Sequence, residues 1–174
     1  LERSYPLAHP FQGSRKLVKS LYCSVLLWFV GRAITKAPDL DRDVREEIES
    51  LPTPFSLCLG ILPKGPAMAL RKESTGSVKR IKATGQEDLR VLIKNLEAAF
   101  LLFSFQESTC VSQARNRLVA EGPIPETCTF VRILNRIEIL LLPRFIAERA
   151  VKRYVKPPGL LGKRILLYLR VLFG

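Results

Sequence analysis

One histidine, His9, and four cysteines, Cys23, Cys58, Cys110 and Cys128, are the side chains of this 174-residue sequence best suited to nucleophilic or metal chemistry. Their placement supports neither. A Ser–His–Asp or Cys–His set would have to recruit His9, which lies in a leader containing Pro6 and Pro10. The cysteines form no CxxC pair and, at this length, no disulfide scaffold, so they read as buried, reduced thiols. Neither a metal nor a cofactor is expected. No GxGxxG and no phosphate-binding Walker loop occurs. Asp39, Asp41, Asp43, Glu46, Glu47 and Glu49 crowd one short segment, which reads as the solvated face of a helix rather than an acid–base pair. Lys79, Arg80 and Lys82 could meet nucleic-acid phosphate, but no aromatic residues interleave with them as stacking platforms, and a wet sheet face is the expectation. The chemistry therefore points to a protein that is not an enzyme.

Charge and hydropathy point elsewhere. The chain is 47% hydrophobic, with mean hydropathy +0.11, net charge +12 and a pI of about 10. Such an imbalance calls for an anionic partner, nucleic acid or a phospholipid surface. The cations are concentrated where the sequence is oiliest. Arg15, Lys16 and Lys19 precede LYCSVLLWFVG (21–31), and Arg144, Arg149, Lys152, Arg153, Lys156, Lys163, Arg164 and Arg170 follow Pro143 against Glu148 alone. That distribution favours an anionic membrane surface over nucleic acid, with a cytoplasmic, peripherally membrane-associated protein as the expectation.

The elements that position these residues follow from periodicity. Ser14 can cap a helix to about Lys36, with Leu17, Val18, Leu21, Val25, Trp28 and Phe29 along its apolar face. Its apolar run of about eleven residues falls short of the ~20 that span a bilayer, so it reads as an interfacial helix, with a signal anchor as the alternative. Asp39 or Asp41 caps an acidic helix to about Leu51, and Pro52 and Pro54 stop it. Alternation then predicts strands at 55–61, 67–72, 77–83 and 89–94, joined by turns at PKG, ESTG and TGQE into an antiparallel meander. A buried helix over 96–105 follows, then a short one capped by Ser108 or Thr109. A fifth strand at RLVAEG (117–122) precedes a helix from PIPET to Pro143. A further helix over 144–154 and the hinge KPPG (156–159) lead to the tail.

The strongest signal is an excess of apolar helix surface. Phe100, Leu101, Phe103 and Phe105 fall within about a turn and a half, and Leu134, Ile137, Leu141 and Phe145 belong to a second oily stretch. These helices either fill the core over a small sheet or line an apolar cavity. The stretch from Phe55 to Pro143 resembles the sterol carrier protein 2 lipid-binding domain. The resemblance is carried by the order of meander, LEAAFLLFSFQES, short helix, NRLVAEGPIP and apolar helix, with RLVAEG ending at Gly122. It implies an α+β fold in which a five-stranded, mainly antiparallel sheet and helices enclose a hydrophobic tunnel. It also implies binding of a fatty acyl, sterol-like or isoprenoid lipid without catalytic residues, and the eight apolar positions just named are the expected lining.

On this reading residues 39–143 form the lipid-binding domain, 1–38 a leader and amphipathic helix, and 144–174 basic amphipathic helices. The segment RILNRIEILLLPRFIAER is also similar in style to the end of bacterial accessory factors of ubiquinone synthesis that carry this domain. The tail GKRILLYLRVLFG gathers Lys163, Arg164 and Arg170 into one sector of a helix. With Trp28, Leu167 and Phe173 they are the expected membrane contacts, cations on lipid phosphate and side chains in the acyl boundary. The alternative is that the tail packs onto its own domain or onto a second copy, giving a homodimer through the oily helices.

Overall fold

Phe55, Leu57, Leu59 and Ile61 alternate with Ser56, Cys58 and Gly60, and in the computed structural model, which describes residues 11–141 and 160–173, they form β1 (Phe55–Ile61). Every residue of β1 is buried, as expected for a central strand. The other strands are β2 (Ala67–Lys72), β3 (Val78–Ile81), β4 (Leu89–Ile93) and β5 (Leu118–Glu121), and their spatial order is β3-β2-β1-β4-β5. The helices are α1 (Phe11–Lys36), α2 (Arg42–Ser50), α3 (Leu96–Phe103), α4 (Thr109–Ala114), α5 (Ile124–Leu141) and α6 (Leu160–Phe173). The fold is α+β with a five-stranded mixed sheet.

The expected meander is corrected at β4. This strand pairs with β1, in parallel, with Leu57 opposite Leu89 and Leu59 opposite Val91. Residues 82–88 are a crossover from β3, past β2 and β1, and not a tight turn. The reason lies in the strands themselves. β3 exposes Lys79 and Arg80, which suits an edge, whereas β4 buries Leu89, Val91 and Ile93 and takes an interior place. Two carboxylates pin the crossover. Glu87 is buried and accepts from Thr84 N at 2.6 Å and Gly85 N at 3.1 Å, while Asp88 accepts from Ser56 N at 2.8 Å and Ser56 Oγ at 2.6 Å.

The odd-numbered residues of β1 and β4, with Met68 and Leu70 of β2, share one core with Phe130, Ile133 and Ile137 of α5. Cys23, Leu27, Ala33 and Ile34 of α1 and Leu167 and Val171 of α6 belong to the same core, so the described parts of both terminal segments contribute to it. Where α1 crosses β2, Gly31 allows the approach: a Cβ there would lie 3.3 Å from Met68 Sδ. By length and composition the stretch Arg15–Asp39 is long and apolar enough to cross a membrane, a correction to the shorter run expected from the sequence. Its buried residues are committed to the core, however, and spanning would require giving that face up.

Helix caps follow the expected chemistry. Asp41 caps α2 through Val44 N, Asn95 caps α3 through Ala98 N at 2.8 Å, and Ser108 caps α4. Lys72, buried at the end of β2, donates to the carbonyl oxygens of Glu49 and Leu51 and so satisfies the C-terminal end of α2. α1 begins at Phe11, ahead of the expected cap at Ser14, and α3 stops at Phe103 rather than 105. Of the cysteines, Cys23 and Cys58 are buried as expected, but Cys128 is exposed on α5. Burial and the Glu87 carboxylate push the Cys58 thiol up to about 11. His9, Pro143, the segment 144–154 and KPPG lie outside the described residues.

Candidate functional site

Seven positions of α5, Thr127, Phe130, Val131, Leu134, Ile137, Glu138 and Leu141, recur at steps of three and four. They therefore form one stripe along the helix. This stripe is one wall of a cavity of about 220 Å³. From Thr127 to Leu141 it extends ~21 Å at 1.5 Å per residue. A second void, of about 10 Å³, lies between Ile34, Leu57, Leu70 and Phe130 and is a packing defect by comparison.

The other walls come from every layer. α1 supplies Leu26, Leu27, Phe29 and Val30; the sheet supplies Leu59, Val91, Leu118 and Ala120; α6 supplies Tyr168. Leu102 and Phe103 end α3 over the cavity. Phe105 joins them because its backbone is left-handed, with φ 58°, turning the chain sharply after the helix. Thr109, Gln113, Ala120 and Val131 are lining residues that are also exposed, and they mark the mouth.

Polar groups are few and mostly satisfied. Glu107 is buried, which raises its carboxyl pKa, but the Ser112 hydroxyl and the guanidinium groups of Arg117 and Arg115 outweigh burial and hold it below the usual range. Its bonds to Arg117 and Arg115 measure 2.6 and 2.8 Å. The Tyr168 hydroxyl donates to the carbonyl of Leu141. Glu138 is the exception. Among the described residues no hydrogen-bond or ion-pair partner meets its carboxyl group, and burial alone pushes its pKa up to about 7.

Of the apolar positions singled out from the sequence, the structure brings Phe103, Phe105, Leu134, Ile137 and Leu141 together on the cavity wall. Phe100 and Leu101 are not on it. Phe100 turns toward α1, where its ring meets Tyr22 edge-on at 5.5 Å and lies 5.2 Å from Lys19 Nζ. Phe145 lies outside the described residues. Glu138 was missed, though its spacing from Leu134 and Leu141 was available: a carboxylate at a stripe position.

The tail residues are arranged differently from the expectation. Lys163 donates to Asp41 at 3.0 Å, Arg170 to Asp39 at 3.0 Å, and Arg164 to the carbonyl oxygens of Leu140 and Ile139. All three cations thus engage their own chain. Leu167 is fully enclosed and belongs to the packed side of α6, not to an outward face. The acidic segment is likewise not simply solvated: Asp43 pairs with Arg136 and Glu47 with Arg132, each at 2.6 Å. What α6 turns outward is apolar: Leu161, Ile165, Leu166, Leu169, Leu172 and Phe173, the last 85% exposed. α1 exposes Leu17, Leu21, Val25 and Trp28 along one line, and the Arg32 guanidinium lies over the Trp28 ring at 5.2 Å.

No family model and no curated protein matches the sequence. Among solved structures the chain is similar to a ubiquinone synthesis protein, UbiJ-SCP2, at 13% identity and a TM-score of 0.45, covering 70% of this chain and 99% of that one. It is also similar to apo sterol carrier protein 2 from Yarrowia lipolytica, at 13% identity, TM-score 0.44 and coverage of 66% and 91%. The sterol carrier protein domain 2 of Helicoverpa armigera is similar at 14% identity, TM-score 0.42 and coverage of 62% and 84%.

Proposed function

We propose that this chain binds an elongated apolar molecule, a lipid, in the cavity along α5 and carries or presents it at a membrane surface without chemically changing it. One observation carries the reading: an apolar wall ~21 Å long, open at one end and lined from every layer of the fold. A core packed only for stability closes such space, because unfilled volume forfeits contacts. Of the polar groups that line it, Glu107 and Tyr168 are bonded within the fold, and among the described residues none forms a nucleophile–base pair.

Membrane docking is supported by the outward faces of α1 and α6. Both are continuous apolar strips on a chain of net charge +12, and exposed Arg15 and Lys16 adjoin Leu17 and Val18. Apolar patches of this kind mark interaction surfaces. The cations of α6 are occupied within the fold, so this docking rests on apolar insertion with Arg15 and Lys16 at its margin.

The test is to extract the purified protein with organic solvent and to weigh it intact under native conditions. A co-purifying lipid, or saturable uptake of a long-chain fluorescent lipid, is the expected result. Protein that arrives empty and takes up no lipid overturns the reading.

A further inference from the structure

Glu138 sits on the apolar stripe of α5, and nothing in the described fold accounts for it. A lone carboxyl on an apolar wall is costly when ionised and, when protonated, still leaves a donor to be used. Building on the lipid-binding reading, we propose that the end of the ligand seated against Glu138 carries an uncharged oxygen function, a hydroxyl or carbonyl, and not an anionic or cationic head.

The geometry discriminates among the alternatives. A fatty-acid carboxylate seated there would compete with Glu138 for a single proton, and above about pH 7, where that proton is lost, the two would face each other as like charges. Two such groups cannot both be charged in a low-dielectric site. An ammonium has three donors to satisfy. Of the other oxygens lining this end of the cavity, the Leu141 carbonyl already takes the Tyr168 hydroxyl. A buried ion pair so poorly supported does not recover its desolvation. A hydroxyl, in contrast, accepts the acid proton and can donate in return, and a carbonyl accepts it.

Surrounding charges do not alter this. On the wall itself Glu107 is neutralised by Arg115 and Arg117. On α2, Asp41, Asp43 and Glu47 are paired with cations of α5 and α6. On α1, Lys19 pairs with Glu97 and Arg32 covers Trp28. On α6, Lys163 and Arg170 reach Asp41 and Asp39, and Arg164 reaches backbone carbonyls. The raised pKa of Glu138, about 7, keeps a substantial share of the group protonated near neutral pH.

The experiment measures displacement of a bound fluorescent lipid by tetradecanol, tetradecanoate and tetradecylamine from pH 6 to pH 9, in the whole protein and in Glu138→Gln and Glu138→Leu. Tetradecanol is expected to bind at least ~10-fold tighter than tetradecanoate at pH 7.5, and the gap to widen as Glu138 ionises above about pH 7, because the hydroxyl can then donate to the carboxylate whereas a second carboxylate cannot. Glu138→Gln should keep the preference and lose the pH dependence. Glu138→Leu should lose the preference for the alcohol. Equal binding of all three probes, tightest binding of the amine, or an unchanged preference in Glu138→Leu overturns this inference while leaving lipid binding intact. Binding of none overturns the lipid reading and this inference with it.

Discussion

Lys163 of α6 donates to the carboxylate of Asp41, the N-cap of α2, at 3.0 Å, and the two residues are 122 positions apart in sequence. The same carboxylate accepts from Val44 N and from Arg136 of α5, and it is only 1% exposed. One buried acid thus ties three helices together. Burial raises the Asp41 pKa, but the hydrogen bonds from Arg136 and Lys163 outweigh it, and the net value lies below the ordinary carboxylate range.

Asp41→Ala should release α6. Removing one partner of a buried ionic cluster typically costs about 3–5 kcal/mol. The expected result is a lower melting temperature and rapid proteolysis within 160–173. Because the folded-state pKa is depressed, the stabilisation from Asp41 is complete above its unfolded value of ~3.9 and lost as pH falls through the lower folded value. The proteolysis rate of the unaltered protein should therefore rise only in acid. An α6 equally protected in Asp41→Ala would show that the cluster does not hold it.

Leu134→Trp should fill the cavity. An indole at this wall position occupies open space, so the cost should stay within the ~1–3 kcal/mol of an overpacked site, with folding retained. Lipid content and uptake should fall to background. Normal uptake by a folded Leu134→Trp protein would move the ligand away from α5.

Glu138 makes a stability prediction as well. Its folded pKa, about 7, is raised above the ordinary carboxyl value. The folded state therefore holds more protons than the unfolded one between pH ~4.3 and 7, and stability falls as pH rises through that window. The penalty above pH 7 is at most about 4 kcal/mol. Glu138→Gln should melt higher than the unaltered protein at pH 8 and about equally at pH 4.5. Equal melting at both values would place the carboxyl in water.

Leu169→Asp together with Phe173→Asp should leave the melting temperature unchanged, since both side chains point outward. Co-sedimentation with vesicles containing phosphatidylserine should be lost. Retained binding would assign the contact to α1 alone, and loss of folding would place this face against a second copy.

Much of this architecture could be read in advance because it is local. Four of the five strands announce themselves by alternation, and the caps at Asp41 and Ser108 by their side chains. The parallel insertion of β4 could not be read, since no local pattern states which strand will be the neighbour. The basic sector of α6 was visible as Lys163, Arg164 and Arg170, but its counter-charges lie far away in sequence, on Asp39 and Asp41. α3 is apolar nearly all round, so its sequence does not fix which face meets α1. Phe100 and Phe103 accordingly went to different neighbours. Glu138 could have been found by asking which polar residue recurs on the period of an oily stripe.

The place of β4 beside β1 bears on how fast each half of the sheet can assemble. β1 and β2 are joined through residues 62–66 alone, whereas Ser56 meets Asp88 across 32 positions. Closing the longer loop loses more chain entropy and waits on the crossover. The β1–β2 hairpin should therefore gain protection first, with β4 and β5 docking in a later step. In pulsed hydrogen exchange during refolding, amides of Leu57 and Leu70 should become protected before those of Val91 and Val119.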